Sequence, residues 1–345
     1  MKRPTRESME LAKYIHGFLA EYAPVHLTTS EHTLKNYKAS LSLYLVFLQE
    51  ECGITPSRLN IGCFSREFIE GWIKWIKDKR GCSAQTCNVR LGAIRAFLKY
   101  LGRRDIACLS VYEAACTIPS MKVPKRKVHG LSKVAVKQML EMPDLSTKTG
   151  RRDLTFTILL YSTAARLDEV LSLKMQDLHL DLRKPYVSII GKGHKRRTLY
   201  LMPKVVAHLK KYIEEYHGKT PDPNSYLFYS RNIGVSGKMT QPAIDKMLKK
   251  YAKAAHLLCG DVPLDLHAHQ FRHSKASHWL EDGMNIVQIS FLLGHEHLET
   301  TMIYLDVTTE NERKALATLE CEKDAKVLAK WKKPDGSLVE FCGIK

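Results

Sequence analysis

Apolar residues spaced three and four apart recur in one stretch after another of this chain, and that spacing leaves little room for anything but a helical core. In "SEHTLKNYKASLSLYLVFLQEECG", Leu34, Tyr37, Leu41, Leu45 and Leu48 fall on one face, Ser30 stands where a cap belongs and Gly53 closes the run. "SREFIEGWIKWIKDKRG" repeats the device, with Ser65 ahead, Phe68, Trp72 and Trp75 sharing a face, and Gly81 behind. "SAQTCNVRLGAIRAFLKYLG" carries Leu91, Ile94, Phe97 or Leu98, and Leu101 up to Gly102, and "MELAKYIHGFLAEY" supplies a fourth run. An amphipathic helix must bury its stripe, so these runs predict a small four-helix bundle with basic outer faces over residues 1–116.

The rhythm then fails. "TIPSMKVPKRKVHG" holds two prolines and the cluster Lys122, Lys125, Arg126 and Lys127, which predicts a basic linker over 117–130. Such a run is either merely solvated or laid along a phosphate backbone so that two domains close around a duplex. Helices resume behind Ser132, and "RDLTFTILLYSTAARLDEVLSL" gives two runs separated by a turn from Ser162 to Ala165. Next the period changes. "KPYVSIIGKGHKRRTLYLM" is β-branched and aromatic on both sides of Gly191-Lys192-Gly193, so it predicts a β-hairpin whose tip carries Lys192, His194, Lys195 and Arg196. From Thr240 the chain returns to helices through "QPAIDKMLKKYAKAAHLL", "HQFRHSKASHWLEDG" and "NIVQISFLLGH", and a polar helix follows. The expected class is mainly α with a small antiparallel sheet, with a second domain over 131–330 and a tail over 331–345, where "GSLVEFCGIK" reads as a short strand.

Composition narrows the partner. The 345 residues, 44% hydrophobic, suffice for two full cores, and a formal charge of +18 with a pI near 9.4 calls for a polyanion: nucleic acid or an acidic membrane face. The apolar runs are short and broken by charges, and "MKRPTRESMELAKY" has no apolar stretch behind its basic start, so the expectation is a soluble, unsecreted, cytoplasmic protein without a membrane partner. Nine cysteines without a CxxC pair match no common zinc or disulfide pattern and are expected to be reduced.

The polar residues are weak signals one at a time. Arg166 opens a helix with Asp168 and Glu169 in its first turn, a place where acidic side chains suit the helix dipole and an arginine commonly makes surface ion pairs. Lys192 alone is an ordinary turn lysine. His269 and Arg272, three apart, share a helix face and can grip one anion together. His267, His269, His273, His295 and His297 raise a zinc reading, but helical zinc sites pair histidines four apart with an acidic partner, as in HExxH, and that arrangement is not present. In "LLGHEHLETTMIYLD", Gly294 sits where a left-handed C-cap belongs, so His295 emerges just beyond a helix end. Thr300 or Thr301 is expected to cap the following helix. That would place Tyr304 in its first turns, near a partly positive N-terminus and away from a deep core.

Taken in order over about 140 residues, the arginine of "TAAR", a lysine on a β-hairpin, H-x-x-R, "LLGH" and a tyrosine nine residues later resemble the tyrosine recombinase, or phage integrase, family. The N-terminal bundle is similar to the family's SAM-like core-binding domain. The resemblance implies a catalytic domain over 131–330, a C-shaped clamp around DNA, and Arg166, Lys192, His269, Arg272, His295 and the nucleophile Tyr304 as the catalytic set. Glu169 resembles the acidic residue that follows the first arginine. Ala164 and Ala165 replace a common Gly-Leu, Phe271 a common leucine, and Asp306 a histidine found in some members.

The chemistry suits these groups. A phenol of pKa about 10 needs a base and nearby positive charge to attack phosphorus at neutral pH, which gives His269 the role of base. Arg166 and Arg272 would hold the non-bridging oxygens bidentately, His295 would add a hydrogen bond, and Lys192 would protonate the leaving 5′-oxygen. The cations come from side chains, so neither metal nor cofactor is expected. The resemblance further implies a 3′-phosphotyrosyl intermediate resealed without ATP, double-stranded DNA with specific recombination sites as partner, a homotetramer on two sites, accessory proteins, and exchange of the C-terminal segment between protomers. The N-terminal bundle starts almost at once, which favours a simple recombinase of Xer or mobile-element type without an arm-binding domain. A type IB topoisomerase-like enzyme and a catalytically silent DNA-binding regulator are the alternatives; strand exchange between two copies of one sequence separates the first, and the intact set of polar residues counts against the second.

Overall fold

The computed structural model describes residues 3–124, 130–191, 195–302 and 304. Contacts divide the chain into two compact units, Met1–Arg126 and Lys127–Lys345.

The first unit contains α1 (Arg6–Gly17), a π-helical segment (Phe18–Leu27), α2 (Glu31–Glu50), α3 (Arg66–Asp78), α4 (Ala84–Gly102) and α5 (Leu109–Thr117). The four expected runs are helical, and the stripe residues Leu41, Leu48, Trp72, Trp75, Leu91, Ile94, Phe97 and Leu101 are buried in one core. Gly53 and Gly81 close α2 and α3 in the left-handed region at φ +66° and +62°. Ser83 caps α4 by accepting the Thr86 N–H, whereas Ser65 spends its hydroxyl on Glu67. Two features lay outside the periodicity argument. Pro24 cannot donate a helical N–H, and the turns around it widen into the π-helical segment. The short α5 packs back against α4, and the chain beyond it is pinned: Arg95 donates to the Ala115, Cys116 and Ile118 carbonyls, and the Asn88 amide pairs with both main-chain groups of Met121, at 2.9 and 2.8 Å. Lys122 is exposed; Lys125, Arg126 and Lys127 lie outside the described residues.

The second unit runs α6 (Lys133–Glu141), α7 (Lys148–Thr163), α8 (Leu167–Leu171), β1 (Leu178–His179), β2 (Tyr186–Ile190), β3 (Arg196–Tyr200), α9 (Pro203–His217), β4 (Tyr229–Ser230), β5 (Gly234–Lys238), α10 (Gln241–His256), α11 (Ala268–Glu281), α12 (Ile286–Leu293) and α13 (Glu299–Met302). The hairpin is as expected: β2 and β3 pair antiparallel from Tyr186–Tyr200 to Ile190–Arg196, and β1 adds a third strand on the outside of β2. Its inward residues Val187, Ile189 and Leu199 join the helices' Phe156, Leu159, Val170, Leu248 and Phe271 in the main core. Helix α9 and the small β4–β5 sheet were not anticipated. In "PKVVAHLKKYIEEYH" Val205, Leu209 and Tyr212 do form a three-to-four-spaced stripe, with Pro203 at the first position where its missing N–H costs nothing. The Lys192–His194 tip and the tail from residue 305 onward lie outside the described residues.

Candidate active site

Helix α7 ends at Ala164, the single non-glycine residue among those described in the left-handed region, at φ +49°. That backbone costs an L-residue about 1–2 kcal/mol. The turn points the Ala164 carbonyl at Arg272 and starts α8 at Arg166.

Arg272 is the centre of the arrangement. It is 2% exposed, its Nη1 donates to the Ala164 carbonyl at 2.8 Å, and its Nη2 donates to the Leu293 carbonyl at 2.6 Å. One guanidinium therefore ties together the loop two residues before Arg166 and the helix end two residues before His295. Burial and then the charge of Arg166 push its pKa down to about 10, which still leaves it a full cation at neutral pH. Arg166 is half-buried, and its main-chain N–H and Nη1 both donate to Glu169, at 2.7 and 3.0 Å. Burial alone would raise the Glu169 carboxyl, but hydrogen bonds and charge from Arg197, reinforced by Arg166, hold it below the usual carboxylate range.

Gly294 ends α12 at φ +64°, as its position required, and the His295 N–H closes the cap on the Ser290 carbonyl at 3.1 Å. Burial first, then the cations Arg272, Arg166 and Arg197, push His295 down to about 4, so its ring is neutral at pH 7. Its Nδ1 lies 2.7 Å from the Thr301 hydroxyl. In the tautomer where that hydroxyl donates, Nε2 carries the proton and is free to serve as a donor. His269, in the first turn of α11, keeps an exposed edge; burial of the rest, with Arg272, His267 and Arg166, lowers its pKa below the ordinary imidazole value.

Tyr304 corrects an expectation. Thr300 and Thr301 lie inside α13 rather than ahead of it, so the tyrosine follows the helix in a turn instead of opening it. It is 4% exposed, packed with Ala164, Ala276, Ile289 and Leu293, with its ring 5.4 Å from that of His273. The one-turn helix Glu299–Met302 ends before Tyr304, and its ring joins the buried apolar cluster of Ala164, Ala276, Ile289 and Leu293. Burial raises the phenol pKa, and Arg272 pulls it partly back. The tyrosine thus shares one buried cluster with the two residues whose carbonyls hold Arg272.

Arg197 went unremarked in the sequence. It is 8% exposed, donates from Nη1 and Nη2 to the two oxygens of Glu169 at 3.1 and 2.6 Å, and from Nε to the Leu292 carbonyl at 3.0 Å. The signal was there in the strand's alternation: Arg197 shares the inward parity of Leu199 in "RRTLY". Lys195 and Arg196 are exposed, Lys195 lying 3.5 Å from Glu296, while Lys192 and His194 lie outside the described residues.

The guanidiniums of Arg166, Arg197 and Arg272 and the imidazoles of His269 and His295, with Glu169 as the carboxylate in contact among the described residues, make a locus of positive potential suited to an anionic group. The phage integrase family profile matches residues 130–311, and that of the phage integrase N-terminal SAM-like domain matches residues 18–105. The chain belongs to the phage integrase family. Among relatives of this integrase, the tyrosine recombinase XerD of Listeria monocytogenes is 31% identical over 290 residues, spanning 81% of this chain and 89% of that one. XerC of Chlamydia caviae is 28% identical over 294 residues, spanning 81% and 90%. In fold, this integrase is similar to the XerH site-specific recombinase in a post-cleavage complex with a palindromic difH substrate, at a TM-score of 0.68 and 18% identity over 92% of this chain and 99% of that one. This integrase is a tyrosine site-specific recombinase, an enzyme that breaks and rejoins DNA strands.

Proposed function

We propose that Arg166, Lys192, His269, Arg272, His295 and Tyr304 carry out strand cleavage on a duplex bearing a specific site, with Glu169 holding Arg166 in place. One observation carries this reading: Arg272 is hydrogen-bonded to both loops that present Arg166 and His295, and Tyr304 packs on the same two loops. In the reaction the Tyr304 phenol gives its proton to His269 and its oxygen bonds to phosphorus. Arg166, Arg272 and the Nε2–H of His295 hold the charge that gathers on the non-bridging oxygens. The bond to the 5′-oxygen breaks, and that oxygen takes a proton from Lys192. A 5′-hydroxyl from another strand reverses the steps and reseals the DNA, ester for ester, without ATP. Cleavage requires Tyr304 to leave its apolar pocket, because burial raises the phenol's pKa and opposes the phenolate.

In this reading Lys122, Lys125, Arg126 and Lys127 meet the phosphate backbone of the duplex, and His194, Lys195 and Arg196 contact it beside the site. Exchange joins two duplexes, so the working form is a homotetramer on two sites, accessory proteins setting direction. The test is to express the protein with genomic DNA, trap covalent adducts under denaturing conditions and sequence them. Wild type is expected to yield one recurrent site. Tyr304→Phe is expected to yield none while binding the recovered duplex with unchanged affinity, and adducts in that variant would refute the nucleophile. Lys192→Ala is expected to cut an ordinary ester about 10²- to 10⁴-fold slower. A 5′-bridging phosphorothiolate, whose thiolate leaves unprotonated, should restore the rate; a defect of equal size on that substrate would mean another residue is the acid.

A further inference from the structure

We propose that Arg197 is a positioning residue for strand cleavage, clamping the Arg166 turn, the β2–β3 hairpin and the end of α12 into one register around the scissile phosphate. This inference rests on the roles given above to Arg166 and His295. From one strand, its guanidinium reaches Glu169, 28 residues away in sequence, and Leu292, 95 away, and all three of its nitrogens meet protein acceptors. It therefore reaches the reaction only through others: Arg166 by way of Glu169, and His295 by way of the helix end it caps.

Two glycines shape the socket. A Cβ on Gly191, at the end of the hairpin's first strand, would come within 3.2 Å of the Arg197 Nη1 and 3.4 Å of the Glu169 Oε1. A Cβ on Gly294 would meet the same Nη1 at 3.1 Å and Cδ and Cζ at 3.3 Å. Backbone from the hairpin and from α12 thus closes on one planar group. Stability is a poor reason to keep an arginine here, since buried ion pairs are commonly replaced by apolar residues of like volume at no cost. Geometry is a better one. A planar fork fixes the carboxylate and the carbonyl at set angles, whereas a lysine's ammonium is a point charge on a flexible stem with no fixed fork to hold that geometry.

The experiment uses the full-length protein and the duplex recovered by covalent trapping, nicked so that cleavage is irreversible, with either an ordinary phosphodiester or a neutral methylphosphonate at the scissile position. Arg197→Met is expected to cleave the ordinary ester about 10²-fold more slowly than wild type, the cost typical of losing one transition-state donor, while binding the duplex with affinity within about threefold. On the methylphosphonate, where Arg166 and Arg272 have less charge to hold, the defect should shrink below about tenfold. Arg197→Lys should remain slow. The double variant Glu169→Gln with Arg197→Met, which also removes the buried carboxylate charge that Arg166 alone would be left to balance, should recover the wild-type unfolding midpoint without recovering the rate. Equal slowing on both substrates, a rate that returns with the midpoint, or wild-type rates in Arg197→Met would each overturn the role. A wild-type protein that traps no DNA would overturn the functional reading itself and this role with it.

Discussion

At the scale of single residues, the site separates charge that must persist from charge that must be absent. Arg272, though buried, keeps its proton at any physiological pH, while burial and the guanidiniums around them lower the pKa of His269 and leave His295 neutral. A base must be unprotonated to act, so a lowered pKa for His269 extends activity toward acid. The kcat/KM profile for cleavage is therefore expected to fall on the acid side with a midpoint below 6.5, the ordinary imidazole value. A decline centred above pH 7 would show that His269 is not the base. Singly, Arg166, Arg272 and His295 were weak signals in the sequence, and it was the resemblance of their ordered set to the tyrosine recombinase family that singled them out. Arg197 was harder to see because a basic tip surrounds it, and only its parity with Leu199 marks it as inward-facing.

At the scale of elements, helix ends do the positioning. The left-handed residues Ala164 and Gly294 terminate α7 and α12, and each turns a carbonyl from its own helix end toward an arginine. Gly294→Ala adds a methyl group in a backbone region that disfavours it and within 3.1 Å of Arg197, so a loss of about 1–2 kcal/mol in the second unit is expected from denaturant unfolding. A variant as stable as wild type would mean that the cap relaxes freely. Helices α2, α3 and α4 were readable from their stripes, and the hairpin from its change of period. The π-helical segment, α5 and the β4–β5 pair were not: the first departs from α-helical period around Pro24, α5 is short and packs on α4, and β4 has only two residues, with a shifted register against β5.

At the scale of the whole molecule, the charge of +18 dominates what the protein meets in solution. Binding that neutralises many phosphates releases counterions, so affinity for any duplex is expected to fall by about 10³- to 10⁵-fold between 50 and 200 mM salt if roughly 6–10 phosphates are contacted. A filter-binding or anisotropy titration across that range checks this, and a nearly flat salt dependence would deny the basic faces a part in binding. No helix among the described residues is long and apolar enough to cross a membrane.

The amino-acid sequence by itself determined the helical character of the first unit and the hairpin, because local periodicity is a property of neighbours in the chain, and it offered Arg166, His269, Arg272, His295 and Tyr304 as candidates through their ordered resemblance to a family. Only the tertiary structure decided that one arginine ties two distant loops together, that Glu169 is shared between Arg166 and Arg197, and that the Tyr304 ring rests in an apolar pocket. Those outcomes depend on which residues meet after the helices pack, and burial, which sets both the hydrogen-bond partners and the pKa values, is a property of the packed whole.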